Sequence, residues 1–127
     1  MKAWIALVSG CSLLIACDRG TETQAPQPRK MEIANPYQDR LIALSPANRR
    51  LALRRAIQDA GQSCKRIVGS AYQGPYKGQH QWVGRCEPGG DWAVFLAPNG
   101  DVQVRSCADV KALELPECIS VEDVVKS

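Results

Sequence analysis

Residues 81–105 read QWVGRCEPGGDWAVFLAPNGDVQVR, and the punctuation of this stretch decides the fold. Gln81 to Glu87 carries Trp82 and Val83 and reads as a strand. Pro88-Gly89-Gly90 turns the chain. Asp91 to Ala97 holds the apolar run Trp92-Ala93-Val94-Phe95-Leu96, a second strand. Asn99-Gly100 is the strongest short hairpin signal and predicts a type I′ turn. Val102-Gln103-Val104-Arg105 then alternates apolar and polar residues. Strands joined by such tight connections pair antiparallel with their sequence neighbours.

Upstream, Lys65 to Tyr72 contains Ile67, Val68 and Tyr72 and adds a first strand, so the meander has four. Gln73 to Gln79 is rich in Gly and Pro and predicts a loop. Before the strands the period changes. Asn35-Pro36 and Ser45-Pro46 each place a capping side chain before a Pro suited to the first helical position. They predict helices over 36–44, with Tyr37, Leu41 and Leu44 at helical spacing, and 46–60, stopped by Gly61. On the longer helix Leu53, Ala56, Ile57 and Ala60 share a face, and Arg49, Arg50, Arg54 and Arg55 lie largely off it. An amphipathic helix needs a surface to bury against, and one sheet face supplies it. The expectation is an α+β domain over 36–120, with one or two N-terminal helices on a four-stranded antiparallel meander. Residues 121–127 form a tail, with a short helical stretch over 121–126.

The chain has 127 residues, 45% of them hydrophobic and 23% charged, which is the composition of one ordinary folded domain. Lys and Arg number 16 against 13 Asp and Glu. That net of +3 is too small to argue for nucleic acid. The charge is unevenly placed, however. From Arg40 to Arg66 there are seven basic residues and one acidic; from Glu87 to Ser127 there are eight acidic and three basic. The candidate contact residues are therefore Arg49, Arg50, Arg54 and Arg55, facing anionic headgroups, an anionic envelope polymer or an acidic protein surface. Tyr76, between Pro75 and Lys77 in the expected loop, is a candidate aromatic anchor. Against these stands the plainer reading of a solvated helix face partly neutralised by the acidic tail.

Six cysteines occur. Cys64, Cys86, Cys107 and Cys118 lie in the expected domain, lack CxxC spacing, and share the chain with a single histidine, His80. Zinc or thioredoxin-like chemistry is disfavoured, and two disulfides are expected. Of three connectivities, the hairpin geometry selects Cys64–Cys86. Cys107, placed opposite Trp92 at the sheet end, then pairs with Cys118 folding back from the tail. Neither a metal nor a cofactor is called for. No GxSxG, HExxH or phosphate-binding glycine loop is present, so a non-enzyme is expected.

The first residues read as an address. Met1-Lys2 precedes a short apolar stretch, 3–16, below the length that spans a bilayer. Leu14-Ile15-Ala16-Cys17 resembles the lipobox of bacterial lipoproteins. The resemblance implies cleavage after residue 16, a diacylglycerol thioether on Cys17 and acylation of its new amine. Val8-Ser9-Gly10-Cys11 is a second match, but cutting there leaves too short an apolar core. Asp18 resembles an inner-membrane retention signal; without that rule the outer membrane is the destination. Residues 17–35 then read as a lipidated Cys and a tether, polar and without apolar period, reaching about 25 Å from the bilayer. From about Pro46 to Cys107, a helix followed by paired strands resembles PepSY-type domains, small extracytoplasmic modules some of which are associated with peptidase inhibition. The chain departs from that pattern by lacking a strand before the helix and by its four cysteines, and no functional residue carries over. The expected function is that of a lipid-anchored, periplasm-facing binding or accessory module of the cell envelope. The alternative is a small inhibitor of a peptidase or cell-wall hydrolase, acting through the loop from Gln73 to His80.

Overall fold

The computed structural model describes residues 33–122. The expected leader, Cys17, Asp18 and most of the expected tether lie outside the described residues, as do residues 123–127. Two helices, α1 (Pro36–Ala43) and α2 (Pro46–Asp59), precede four strands: β1 (Arg66–Tyr76), β2 (Gln79–Glu87), β3 (Gly90–Leu96) and β4 (Val102–Ser106). The strands form one antiparallel sheet in the order β1-β2-β3-β4. The α+β meander and its two helices are as the sequence implies.

Both helices begin on the expected caps. The Asn35 side chain accepts from the Gln38 backbone N–H, and Ser45 does the same for Asn48. Helix α2 ends where Gly61 adopts φ +78°; its N–H bonds to the Gln58 carbonyl and that of Gln62 to Ile57, a Schellman closure. Leu53 and Ile57 are fully buried against Ile67, Trp82, Cys86, Val94 and Val104. Each such side chain stabilises the domain by about 1.5–3 kcal/mol. Ala60 is exposed, because the chain is already leaving the helix there.

Helix α1 is held differently. Its buried residue is Gln38, whose Oε1 accepts from Trp82 Nε1 at 2.8 Å. Asn35, also buried, donates from Nδ2 to the Leu96 carbonyl at 3.0 Å. One side chain thus caps α1 and pins it to β3. Tyr37, Ile42 and Leu44 remain exposed.

The second sheet face is covered too, which the sequence reading did not foresee. Ala93 and Phe95 form a second cluster with Val110, supported by Tyr76, Cys107, Leu115 and Cys118. Gln73 donates to the Glu117 carbonyl and accepts from Ile119 N–H, and Gln81 donates to the Pro116 carbonyl. The segment after β4 is therefore a third layer. Val121, expected in a tail, is 2% exposed. The folded unit extends past both expected boundaries, to Asn35 and Val121.

Two corrections concern turns. The expected loop 73–79 is mostly strand. Strand β1 continues to Tyr76, which pairs with Gln79 across Lys77-Gly78. Both turn residues have positive φ, +47° and +78°, so this connection has the type I′ signature. Pro75 is tolerated because β1 is an edge strand. Two register shifts, at Ile67/Gly69 and Tyr72/Gly74, switch β1 between faces. Ile67 pairs with Cys86 and joins the helix side; Gly69 lies within 2.5 Å, measured from an added Cβ, of Val121 on the other.

At Asn99-Gly100, by contrast, the type I′ turn does not form. A two-residue loop would need an N–H at residue 98, which is Pro. The closing pair is instead Ala97 and Asp101, with Gly100 N–H bonded to the Ala97 carbonyl. Only Gly100 is left-handed, at φ +92°. This is the three-residue loop in which a left-handed glycine follows a turn. The register accordingly places Ser106, not Cys107, opposite Trp92, while Cys107 N–H bonds to the Asp91 carbonyl.

The disulfides are Cys64–Cys86 and Cys107–Cys118. The first closes the open end of the β1–β2 hairpin where α2 delivers the chain. The second clasps the third layer to the end of β4. No helix among the described residues is long and apolar enough to cross a membrane.

Candidate functional site

The four arginines singled out on α2 have different fates. Arg49 folds back over the end of α1. It donates from Nε to the Leu41 carbonyl at 3.1 Å and from Nη2 to those of Ile42 and Leu44 at 2.6 and 2.9 Å. Its guanidinium also lies 5.3 Å from the Trp82 ring centre. Arg49 is thus a cap for the free carbonyls of α1, matched in sign to the negative end of that helix. It is committed to the fold.

Arg50, Arg54 and Arg55 make no ion pair among the described residues, and neither does Arg40. Arg40 lies over the Tyr37 ring, 5.8 Å from its centre. The carboxylates of the acidic C-terminal segment lie elsewhere. Glu117 pairs with Lys111, and Glu122 with Arg85, both in or against the third layer on the far side of the sheet. Arg85 forms a bidentate pair with Asp91 as well, and the Asp91 hydrogen bond and charge raise its guanidinium well above the ordinary arginine value. Helices α1 and α2 with their caps hold five arginines against two aspartates; residues 107–122 hold four carboxylates against one lysine. The sheet separates a basic layer from an acidic one.

The basic layer also exposes apolar surface. Leu44, Leu51, Arg54 and Arg55 line a depression of about 500 Å³ on the outer side of α2, together with Asn48 and Gln58. Leu51 is 57% exposed and Leu44 36%. A second depression of about 260 Å³ opens between the helices and the β3–β4 strands, lined by Tyr37, Arg40, Leu96 and Val102. Both share Leu44 and Ala52, so they form one continuous face. Leu51 was not evident as a surface residue of interest; its one signal is that it stands opposite Leu53 and Ile57 on the helical wheel.

The remaining candidates sit in structural roles. Tyr76 is half-buried in β1, tilted against Phe95, with its hydroxyl 3.5 Å from the Glu114 carbonyl and Lys77 above its ring. It is a link to the third layer rather than a loop anchor. His80 Nδ1 is 2.7 Å from the Tyr72 hydroxyl, and the two rings stack. Arg66 pairs with Glu87 across β1 and β2 on the surface. Comparison with protein-family models, curated proteins and solved structures returned no match.

Proposed function

We propose that this chain is a lipid-anchored lipoprotein facing the periplasm, and that it serves as a non-catalytic binding or accessory module of the cell envelope. The basic helical layer is its contact face. The observation that carries this reading is the gathering of Arg40, Arg54 and Arg55 beside exposed leucines, on the side of the sheet away from the acidic layer. Buried side chains hold the rest of the helical layer in place, so this face is preorganised. The lipobox-like Leu14-Ile15-Ala16-Cys17 supports the anchor, with Asp18 favouring the inner membrane. The two disulfides suit an oxidising compartment. The partner on this reading is an anionic component of the envelope.

The test is intact mass of the protein taken from native membranes, with and without reductant. Expected are loss of residues 1–16, added acyl mass on Cys17, and hydrogen uptake equal to two disulfides on reduction. An unacylated Cys17, or a retained leader, would overturn the lipoprotein assignment.

A further inference from the structure

We infer that the α1–α2 layer lies against an anionic phospholipid bilayer surface, with the acidic layer turned away from it. This rests on the anchored reading above and adds the partner and the orientation. Three observations point there, two on this layer and one on the opposite layer. Arg50, Arg54 and Arg55 have no carboxylate partner among the described residues. Leu44 and Leu51 stand exposed beside Arg54 and Arg55 in one depression. Basic residues interleaved with exposed apolar ones are the composition that binds the interface of an anionic membrane. The carboxylates of the third layer are repelled by the same surface, so the two layers favour one orientation between them.

The chain path adds to this. The tether enters the domain at Asn35, which caps α1, so the anchor joins the molecule on the helical layer. On the anchored reading, the seventeen residues between Cys17 and Asn35 hold this face at millimolar effective concentration over the bilayer. A weak intrinsic affinity is then enough.

A peptide added as a strand to β4 fits less well. The bonded positions at Asp101 and Cys107 leave the backbone groups of Val102, Val104 and Ser106 pointing outward. This free edge is five residues long, and Arg105 Nη1 already donates to the Val104 carbonyl. Such a blunted edge disfavours pairing with another chain.

The experiment uses the full acylated protein carrying Leu51→Trp, in vesicles of phosphatidylcholine with about one third phosphatidylglycerol and brominated acyl chains. Its emission is compared with that of the unsubstituted protein. Docking predicts a blue shift and quenching of the added Trp that weaken as salt rises and vanish in pure phosphatidylcholine. In Arg50→Glu/Arg54→Glu/Arg55→Glu the docked-to-undocked ratio falls at least about 100-fold, the loss of three surface arginines alone. The same variant stays on the vesicles through its acyl chains. Equal quenching in both lipids, or none in either, overturns the inference, as does photocrosslinking from residue 51 to a protein in native membranes. Should the triple variant fail to fold, the salt and lipid dependence of Leu51→Trp decides alone. Intact mass on the same sample reads the anchor separately. An unacylated chain that floats only with phosphatidylglycerol vesicles still supports docking, and one that floats with neither overturns it.

Discussion

Arg49→Ala should destabilise the domain far more than removal of any neighbouring arginine. Three carbonyls at the end of α1 lose their donor, and the Trp82 ring loses its cation. The bond to Leu41 is partly buried and is worth about 1.5 kcal/mol as a charged hydrogen bond. The two exposed bonds contribute about 0.5 kcal/mol each, and the cation–π contact about 0.5–1 kcal/mol. The total is about 3 kcal/mol. A domain of this size shifts by about 4–8 °C per kcal/mol, so the melting temperature should fall by about 15 °C. Arg49→Lys keeps the charge but cannot reach all three carbonyls, and should lose about half as much. Arg55→Ala, on an exposed residue with no ion pair among the described residues, should cost less than about 0.5 kcal/mol. Thermal and urea unfolding followed by far-ultraviolet circular dichroism reads all three. A melting temperature for Arg49→Ala within about 3 °C of the parent, or a loss for Arg55→Ala as large as for Arg49→Ala, refutes the assignment of Arg49 to the fold.

Gly69→Ala should cost about 1–3 kcal/mol because its Cβ would meet Val121 Cγ1 at 2.5 Å. Adding Val121→Ala should recover part of that loss in a double-mutant cycle; strict additivity would show that the two do not touch. Gly100→Ala combines a left-handed φ of +92° with an approach of 2.7 Å to the Tyr37 ring, and should cost at least about 2 kcal/mol, against well under about 1 kcal/mol for Leu113→Ala at an exposed position of the third layer. Equal melting temperatures for these two variants would contradict the observed loop. Replacing either disulfide pair by alanines should cost about 3 kcal/mol, the closed loops spanning 22 and 11 residues. For Cys107→Ala/Cys118→Ala, amide exchange should rise first over residues 107–122, and a uniform rise over the whole domain would show that the third layer has no separate stability.

The four strands, both helix starts and both disulfides were legible because each has a local cause. Asn35-Pro36 and Ser45-Pro46 are caps, Leu53 and Ile57 share a helical face, and glycines mark the strand ends. What escaped the reading depends on partners distant in the chain. The segment after β4 has no period, and it is ordered by Gln73, Gln81 and the Cys107–Cys118 bridge. The hairpin at Asn99-Gly100 was misread because the rule for that dipeptide ignores the residue before it, and Pro98 removes the donor that a shorter loop needs. Gly-Pro-Tyr reads as loop from composition, yet 74–76 are drawn into β1 by pairing with 79–81. For the candidate contact face, the charge pattern brings out four arginines but does not show that Arg49 is spent on α1. Nor could it show that the acidic segment lies across the sheet from the other three.

Each disulfide joins cysteines that are neighbours along the chain, and the loops 64–86 and 107–118 do not overlap. Suppose the chain crosses a membrane N-terminus first, as the envelope reading requires. Cys64 and Cys86 then both arrive before Cys107, so the first pair can close before Cys107 and Cys118 are both present. The attacking species is a thiolate, so a Cys17 held as a thioether cannot compete for either partner. Joining thiols in order of arrival yields the native connectivity directly, and the second closure seals the acidic layer after the sheet it covers has been delivered. On that reading, pairing in order of arrival asks only for an oxidant where the chain emerges, with no reshuffling of a wrong pair.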